Sequence, residues 1–399
     1  MGIEDVPVVI VGAGPAGLAT AACLNKLSIP NVIIERDDCH ASLWRKRAYD
    51  RLKLHLGKEF CNLPHMPFPS DFPTFVPRVE FLRYLDNYVT SFNISIRYNR
   101  NVESAFLDDN DGKWRVVVKD MVSNAEEVYV SDYLVVATGE NSEGFIPNIH
   151  GLKGFEGEYI HCSKYMNGRD MYGKNVLVVG CGNSGMEIAY DLTNWGANTS
   201  IVIRGPVHYF TKEMVYVGMS LLKYFKIEKV DKLMLLMSKL KYGDMTEYGV
   251  VRPKDGPFAL KKKGGTTPTI DVGCINRIKK GLVQVFPGVS SIEGKTVEFE
   301  DGRSSEFDII IFATGYTSTV LKWLKDYQDL FNEQGMPKPD FPNHWRGENG
   351  LYCAGFSRRG LDGISFDAQR IADDISFTVN ARKIPGGEAN NASLTLLEN

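Results

Sequence analysis

One strand-to-turn pattern occurs twice in this 399-residue chain, and it limits the fold more than any other feature. Pro7 to Gly17 reads PVVIVGAGPAG and Asn175 to Gly185 reads NVLVVGCGNSG, each followed by a helix-compatible segment, LATAACLNKL and MEIAYDLTNW. The apolar runs do not alternate with polar residues, as befits parallel strands buried on both faces. Each run ends in G-x-G-x-x-G. The first glycine makes the tight turn, the second lets the backbone approach a pyrophosphate, and the third lets helix and strand pack closely. The helix N-terminus then presents unpaired N–H groups and partial positive charge to phosphates. The expected fold class is α/β, with two Rossmann-like dinucleotide-binding domains.

A second strand should follow each loop and end in a residue that meets the adenosine ribose. After the first loop comes NVIIE, which places Glu35 18 residues past Gly17; a carboxylate there accepts ribose hydroxyls and repels a 2′-phosphate. After the second comes SIVIR, which places Arg204 19 residues past Gly185, where a guanidinium suits a 2′-phosphate. The first site therefore reads as FAD or NAD and the second as NADPH. A third element is also duplicated: Asp132–Gly139 (DYLVVATG) and Asp308–Gly315 (DIIIFATG) are apolar strands ending in Ala-Thr-Gly. Residues 351–375 give a short strand, a Gly-rich loop and a helix start, which should return to the first domain and aim a helix N-terminus at the flavin. The expected layout is a FAD domain over 1–170, an inserted NADPH domain over 171–320, a return segment over 321–383 and a flexible tail over 384–399.

Composition removes several alternatives. Forty-six basic against 49 acidic residues leave a net charge of −3, which gives no reason to expect nucleic acid as a partner. The seven cysteines include no CxxC, which argues against a disulfide scaffold, a metal site or a dithiol redox centre. The N-terminus lacks the basic and apolar regions of a signal peptide, and no window of 18 apolar residues is available to span a membrane. Asn391-Ala-Ser is a formal glycosylation sequon to which no role is given. A cytoplasmic protein is expected; self-association is left open. Met214 to Leu240 reads as two amphipathic helices, and Lys261–Lys263 as a solvated turn.

Flavin and NADPH sites together imply hydride transfer to a flavin. With no CxxC to pass the electrons to a disulfide, they would go to oxygen or a small organic substrate. Phe155 to Tyr165 (FEGEYIHCSKY) fits the F-x-G-x-x-x-H-x-x-x-Y fingerprint of flavin-containing monooxygenases. More closely, the chain resembles the plant YUCCA family, through LWRKRAYDRLKLHLGKEFCNLPHMPFP (43–69), ATGENSE (137–143), VVGCGNSGMEIAYDL (178–192), GPFALKKKGGTTPTIDVG (256–273), FATGYTSTV (312–320) and GLYCAGFSRRGLDGISFDAQRIADDI (350–375). The resemblance runs from about residue 7 to 377. Where general flavin-containing monooxygenases commonly carry Asn, this chain has His55, as YUCCA-like enzymes do.

The resemblance implies FAD, NADPH and O2 as cofactors and co-substrate. It implies oxidative decarboxylation of an aromatic 2-keto acid, indole-3-pyruvate, to indole-3-acetic acid through a flavin C4a-peroxide kept dry. Gly12, Gly14 and Gly17 would cradle the FAD pyrophosphate and Glu35 its ribose. Trp44 and Arg45 would close over the FAD, Val102 would meet the adenine, and Ala137, Thr138 and Gly139 would line the same site. Gly180, Gly182, Asn183, Ser184 and Gly185 would hold the NADPH pyrophosphate, with Arg204 and Lys212 on the 2′-phosphate. Asn141 would sit near nicotinamide and flavin, and His55 and Lys58 near the flavin and a substrate carboxylate. His161 and Tyr165 would shape the domain junction. Two rivals stand beside this reading: an S- or N-oxygenating monooxygenase and a non-enzymatic flavin-binding redox sensor.

Overall fold

A computed structural model of the chain describes residues 2–264 and 267–382. The tail at 384–399 and the Asn391 sequon lie outside the described residues. Two five-stranded parallel sheets organise the fold. In the first, the strand order is Leu351–Cys353, Tyr133–Val136, Val8–Val11, Asn31–Ile34, Ile96–Arg97. In the second it is Glu158–His161, Ile309–Phe312, Asn175–Val179, Asn198–Val202, Val283–Phe286. The registers repeat: Val8–Val11 pairs with Tyr133–Val136 as Val176–Val179 pairs with Ile309–Phe312. The second unit is inserted into the first, because the chain leaves after Tyr133–Val136 and comes back to pair Leu351–Cys353 with that same strand.

The inner strands are buried on both faces, as their unbroken apolar runs require. Helix Pro15–Lys26 covers one face of the first sheet, and the long C-terminal helix Gly360–Arg382 packs on it through Ala368, Ile371, Ala372 and Ile375. A four-stranded sheet of Gly2–Asp5, Glu126–Ser131, Lys113–Asp120 and Arg100–Asp108 closes the other face, with Trp114, Val116 and Val118 in its core. A three-stranded antiparallel sheet over 289–306 performs the same service in the second unit through Val297 and Phe299.

Two expectations need correction. Glu158–His161 already belongs to the second sheet, and Glu156 N–H bonds the Gly294 carbonyl, so the second unit begins well before residue 171. Glu158–His161 is an edge strand with two exposed residues and no alternation, so it carries none of the apolar signal of the central strands. Lys261–Lys263 is not a turn: it lies in helix Pro257–Gly264, where Lys261 is half-buried near Glu140, Arg359 and Asp362. Met214 to Leu240 falls in helices Lys212–Leu221 and Ile227–Tyr242.

The glycine loops hold helix against strand at distances that leave no room for a side chain. A Cβ on Gly17 would lie 2.0 Å from the Gly12 carbonyl oxygen, and one on Gly185 1.9 Å from that of Gly180. Gly14 and Gly182 face open space instead. Gly17→Ala and Gly185→Ala should therefore each cost about 1–3 kcal/mol, as overpacking does, while Gly14→Ala and Gly182→Ala keep the fold and weaken only ligand binding. Urea midpoints of the four ligand-free variants check this; equal loss in all four would refute it.

Candidate functional site

The first glycine loop opens onto a cleft of about 320 Å³, within the range of about 300–1,000 Å³ typical of small-ligand sites. Gly12, Gly14 and Glu35 line it from the first two strands, and Trp44 and Val102 from the flanking segments. Ala137, Thr138, Gly139 and Asn141 line it from the end of the Ala-Thr-Gly strand. Gly17 lies beneath the loop as a packing residue. Glu35 is buried, and its carboxylate accepts the Ala13 N–H at 2.7 Å and the Asp37 N–H at 2.9 Å. Burial pushes its pKa up; the two N–H bonds counteract this only in part.

Sequence reasoning missed several lining residues. Arg36, Arg47, Arg100 and Arg358 face the cleft with only Glu35 and Glu140 as acids, a balance suited to a ligand carrying two phosphates. Arg47 is ion-paired to Asp37 at 3.0 Å and Arg100 to Glu127 at 3.0 Å, so both enter already oriented. Arg358 has φ +56°, uncommon for a side-chain-bearing residue, and it stands where helix Gly360–Arg382 begins. Burial raises the pKa of Glu140, with Arg358 and Lys261 pulling the other way. None of these lies in a spaced motif. Only the arginine pair of SRRG stands out in the sequence, and nothing there says which arginine turns inward.

The cleft passes the test of fit for a bound dinucleotide. Thr138 Oγ1 is buried with no hydrogen-bond partner among the described residues, and Gly14 leaves open the space that a Cβ would fill. Arg45 is elsewhere, contrary to expectation. Its guanidinium pairs with Asp86 and bonds the His40 carbonyl, because the short helix Ser42–Lys46 points successive residues in different directions. Lys58 also departs from its expected role. Its ammonium donates to the carbonyls of Pro69 at 3.1 Å, Ser70 at 2.9 Å and Phe72 at 2.6 Å, which uses all three N–H bonds to hold the 69–72 loop.

In the second unit, Gly180 and Gly182 shape the turn, and Asn183 and Ser184 open helix Asn183–Asn194. Arg204 is exposed just past strand Asn198–Val202, with no ion pair among the described residues. Lys212 takes a different direction. Burial pulls its pKa down against the pull of Glu187, and its remaining charged neighbours are Lys53, Arg51 and Glu213 rather than Arg204. Asn183 faces the first unit. Its Oδ1 accepts the Ile270 N–H at 2.7 Å and its Nδ2 lies 3.1 Å from Nδ1 of His55. His55 is thus brought to the second glycine loop.

The two Ala-Thr-Gly ends meet. Glu143–Gly144 pairs antiparallel with Tyr316–Thr317, the Phe145 N–H bonds the Gly315 carbonyl at 2.9 Å, and the Thr314 hydroxyl bonds the Phe145 carbonyl. His161 seals the junction. Its Nδ1 accepts the Ser163 N–H, so Nε2 carries the proton and donates to the Gly315 carbonyl at 3.0 Å. Tyr165 donates its hydroxyl to Asp191 at 2.7 Å. The segments leaving both loops are thereby hydrogen-bonded to each other.

This is the architecture of a two-nucleotide flavoprotein. The chain matches the Flavin-binding monooxygenase-like family over residues 6–328 and belongs to it. Within that family it belongs to the YUCCA proteins. It is 56% identical to the probable indole-3-pyruvate monooxygenase YUCCA10 of Arabidopsis thaliana over 92% of this chain and 96% of that one. It is 47% identical to the indole-3-pyruvate monooxygenase YUCCA6 of the same plant, covering 92% and 89%. Among solved structures it shares the fold of a flavin-containing monooxygenase from Stenotrophomonas maltophilia, with TM-score 0.71, 19% identity and coverage of 94% and 99%. It also shares the fold of a bacillithiol disulfide reductase from Bacillus cereus, with TM-score 0.66, 18% identity and coverage of 94% and 100%. Fold alone therefore does not select the reaction.

Burial lowers the pKa of His161, although the Gly315 carbonyl pulls it upward. A histidine whose folded pKa lies below its unfolded value of about 6.5 stabilises the fold above that value, and the contribution is lost as pH falls toward the folded pKa. Stability should thus drop on acidification below about pH 6.5, and His161→Gln should reduce that slope. Urea midpoints across this window measure it; an unchanged slope in the variant would count against the assignment.

Proposed function

We propose that this protein is a FAD- and NADPH-dependent monooxygenase that converts indole-3-pyruvate, an aromatic 2-keto acid, into indole-3-acetic acid and carbon dioxide with O2. This is a step of auxin biosynthesis. One oxygen atom of O2 enters the new carboxylate. The other leaves as water, with the hydride of NADPH and one proton. The observation that carries the reading is the near end-to-end match to relatives named indole-3-pyruvate monooxygenases. Bound FAD supplies the two-electron acceptor and the oxygen-activating centre.

The remaining work falls to the chain. Gly12, Gly14 and the helix after them receive the FAD pyrophosphate, with Arg47 and Arg358 balancing its charge, and Glu35 accepts a ribose hydroxyl. Trp44, Val102 and Asn141 bound the cleft. Gly180, Gly182, Ser184 and the N-terminus of helix Asn183–Asn194 receive the NADPH pyrophosphate, and Arg204 its 2′-phosphate. The hydrogen-bonded junction at Gly144, Phe145, Gly315 and Tyr316 supports exclusion of water, which oxygen transfer requires. We place the NADPH-binding domain from about residue 150 to 318 and assign the flanking segments to the FAD domain. No helix among the described residues is long and apolar enough to cross a membrane. We infer a cytosolic setting, where widely separated free cysteines such as these seven stay reduced.

Incubation of the flavin-loaded protein with NADPH and indole-3-pyruvate in air should yield acid in proportion to NADPH oxidised. Recovery of all reducing equivalents as hydrogen peroxide, or turnover of thioethers and amines but not the keto acid, would overturn the reading. Arg204→Ala should weaken NADPH by about 10- to 100-fold, the worth of charge-assisted hydrogen bonds, and leave NADH nearly unaffected. Equal losses for the two nucleotides would remove Arg204 from the 2′-phosphate.

A further inference from the structure

Loop 49–55 of the first unit docks along one face of helix Asn183–Asn194 of the second. Tyr49 donates its hydroxyl to Glu187 at 3.0 Å. Arg51 pairs with Glu187 at 3.5 Å and Asp191 at 3.7 Å and lies 4.5 Å over the Tyr190 ring. His55 stands between Asn183, at 3.1 Å from its Nδ1, and Glu187, at 3.5 Å from its Nε2. Positions 183, 187 and 191 recur every four residues and so share a face. Glu187 is nearly inaccessible; burial pushes its pKa up, while the cationic Lys212 and Arg51 pull it down.

The orientation of the Asn183 amide follows from its partners. Its Oδ1 accepts the Ile270 backbone N–H at 2.7 Å, so its NH₂ must be the group that faces His55. An NH₂ can only donate, so Nδ1 of His55 must be the acceptor and carry no proton. The ring proton then sits on Nε2, which lies 3.5 Å from the Glu187 carboxylate without a hydrogen bond to it among the described residues. Protonation of Nδ1 would set two donors against each other across the junction.

We propose that Asn183 is a positioning residue that holds His55 in its neutral Nε2–H tautomer, and that His55 in this form is a strut between the two nucleotide domains rather than a proton carrier. The Asn of the second glycine loop thereby ties the pyridine-nucleotide loop to loop 49–55, so the two move as one body. The functional part of this inference rests on the proposed monooxygenase reading; the tautomer does not.

The ring nitrogens of His55 can be read directly by ¹⁵N NMR of the histidine-labelled full-length protein, with His55→Asn identifying the signals. Wild type should show an unprotonated Nδ1 and a protonated Nε2. Asn183→Asp, which can still accept from Ile270 but presents an acceptor to the ring, should bring a proton onto Nδ1. A protonated Nδ1 in wild type, or no response to Asn183→Asp, would overturn the proposal whatever reaction the protein catalyses. The strut role is tested by the rate at which NADPH bleaches the bound flavin. His55→Asn keeps an acceptor for Asn183 but cannot titrate near neutral pH, and it should stay close to the wild-type rate. His55→Leu, which loses the hydrogen bond, should fall by about three- to tenfold. A proton-transfer role would instead cost both variants about 100-fold or more, and that outcome would also overturn the proposal.

Discussion

The contact between the third glycine of each loop and the carbonyl of the first is the constraint on which the rest of the molecule depends. Gly17 approaches the Gly12 carbonyl, and Gly185 that of Gly180, more closely than any β-carbon allows. That approach sets each helix against its strand and aims the helix N-terminus at the loop. The neighbouring strand takes part as well. A Cβ on Gly12 would meet the Ala137 carbonyl oxygen at 2.7 Å, and one on Gly180 that of Ala313 at 2.5 Å. The first strand, its helix and the Ala-Thr-Gly strand therefore converge on one point in each unit. The duplicated motifs are one geometric requirement met twice.

Joining the units makes different demands. At one side, backbone pairing between Gly144 and Tyr316 and the His161 bond to Gly315 link the segments that leave the two Ala-Thr-Gly ends. At the other, side chains of loop 49–55 run along the helix that the second glycine loop begins. The first connection is mostly backbone and tolerates many side chains. The second is polar and centred on the buried Glu187, which Arg51 balances, and the Asn183 amide is shared between Ile270 and His55.

The legible part of the site was the part governed by backbone geometry. Gly12, Gly14, Glu35, Ala137, Thr138 and Gly139 occur at set distances from buried strands, and all line the first cleft. The less legible part consists of long side chains whose direction is settled by distant neighbours. Trp44 lines the cleft, whereas the adjacent Arg45 turns to Asp86, on a helix about forty positions away. Lys58 ends among the carbonyls of 69–72, and Lys212 over the Phe75 ring. The edge strand Glu158–His161 is hard to read for a similar reason, since half of it is exposed and its sheet partner lies 151 residues further on.

By itself, the sequence determined that the chain builds two dinucleotide folds, one inserted in the other, and which loops could receive phosphate. These follow from periodicity and from glycine positions, where local sterics leave few alternatives. Only the tertiary structure decided which charged side chains enter the cleft and which are consumed elsewhere, because a flexible ammonium or guanidinium goes where buried partners balance it. It also decided the proton position on His55. That depends on an amide whose orientation is set by the N–H of Ile270, 87 residues beyond Asn183 in the chain and in contact only after folding.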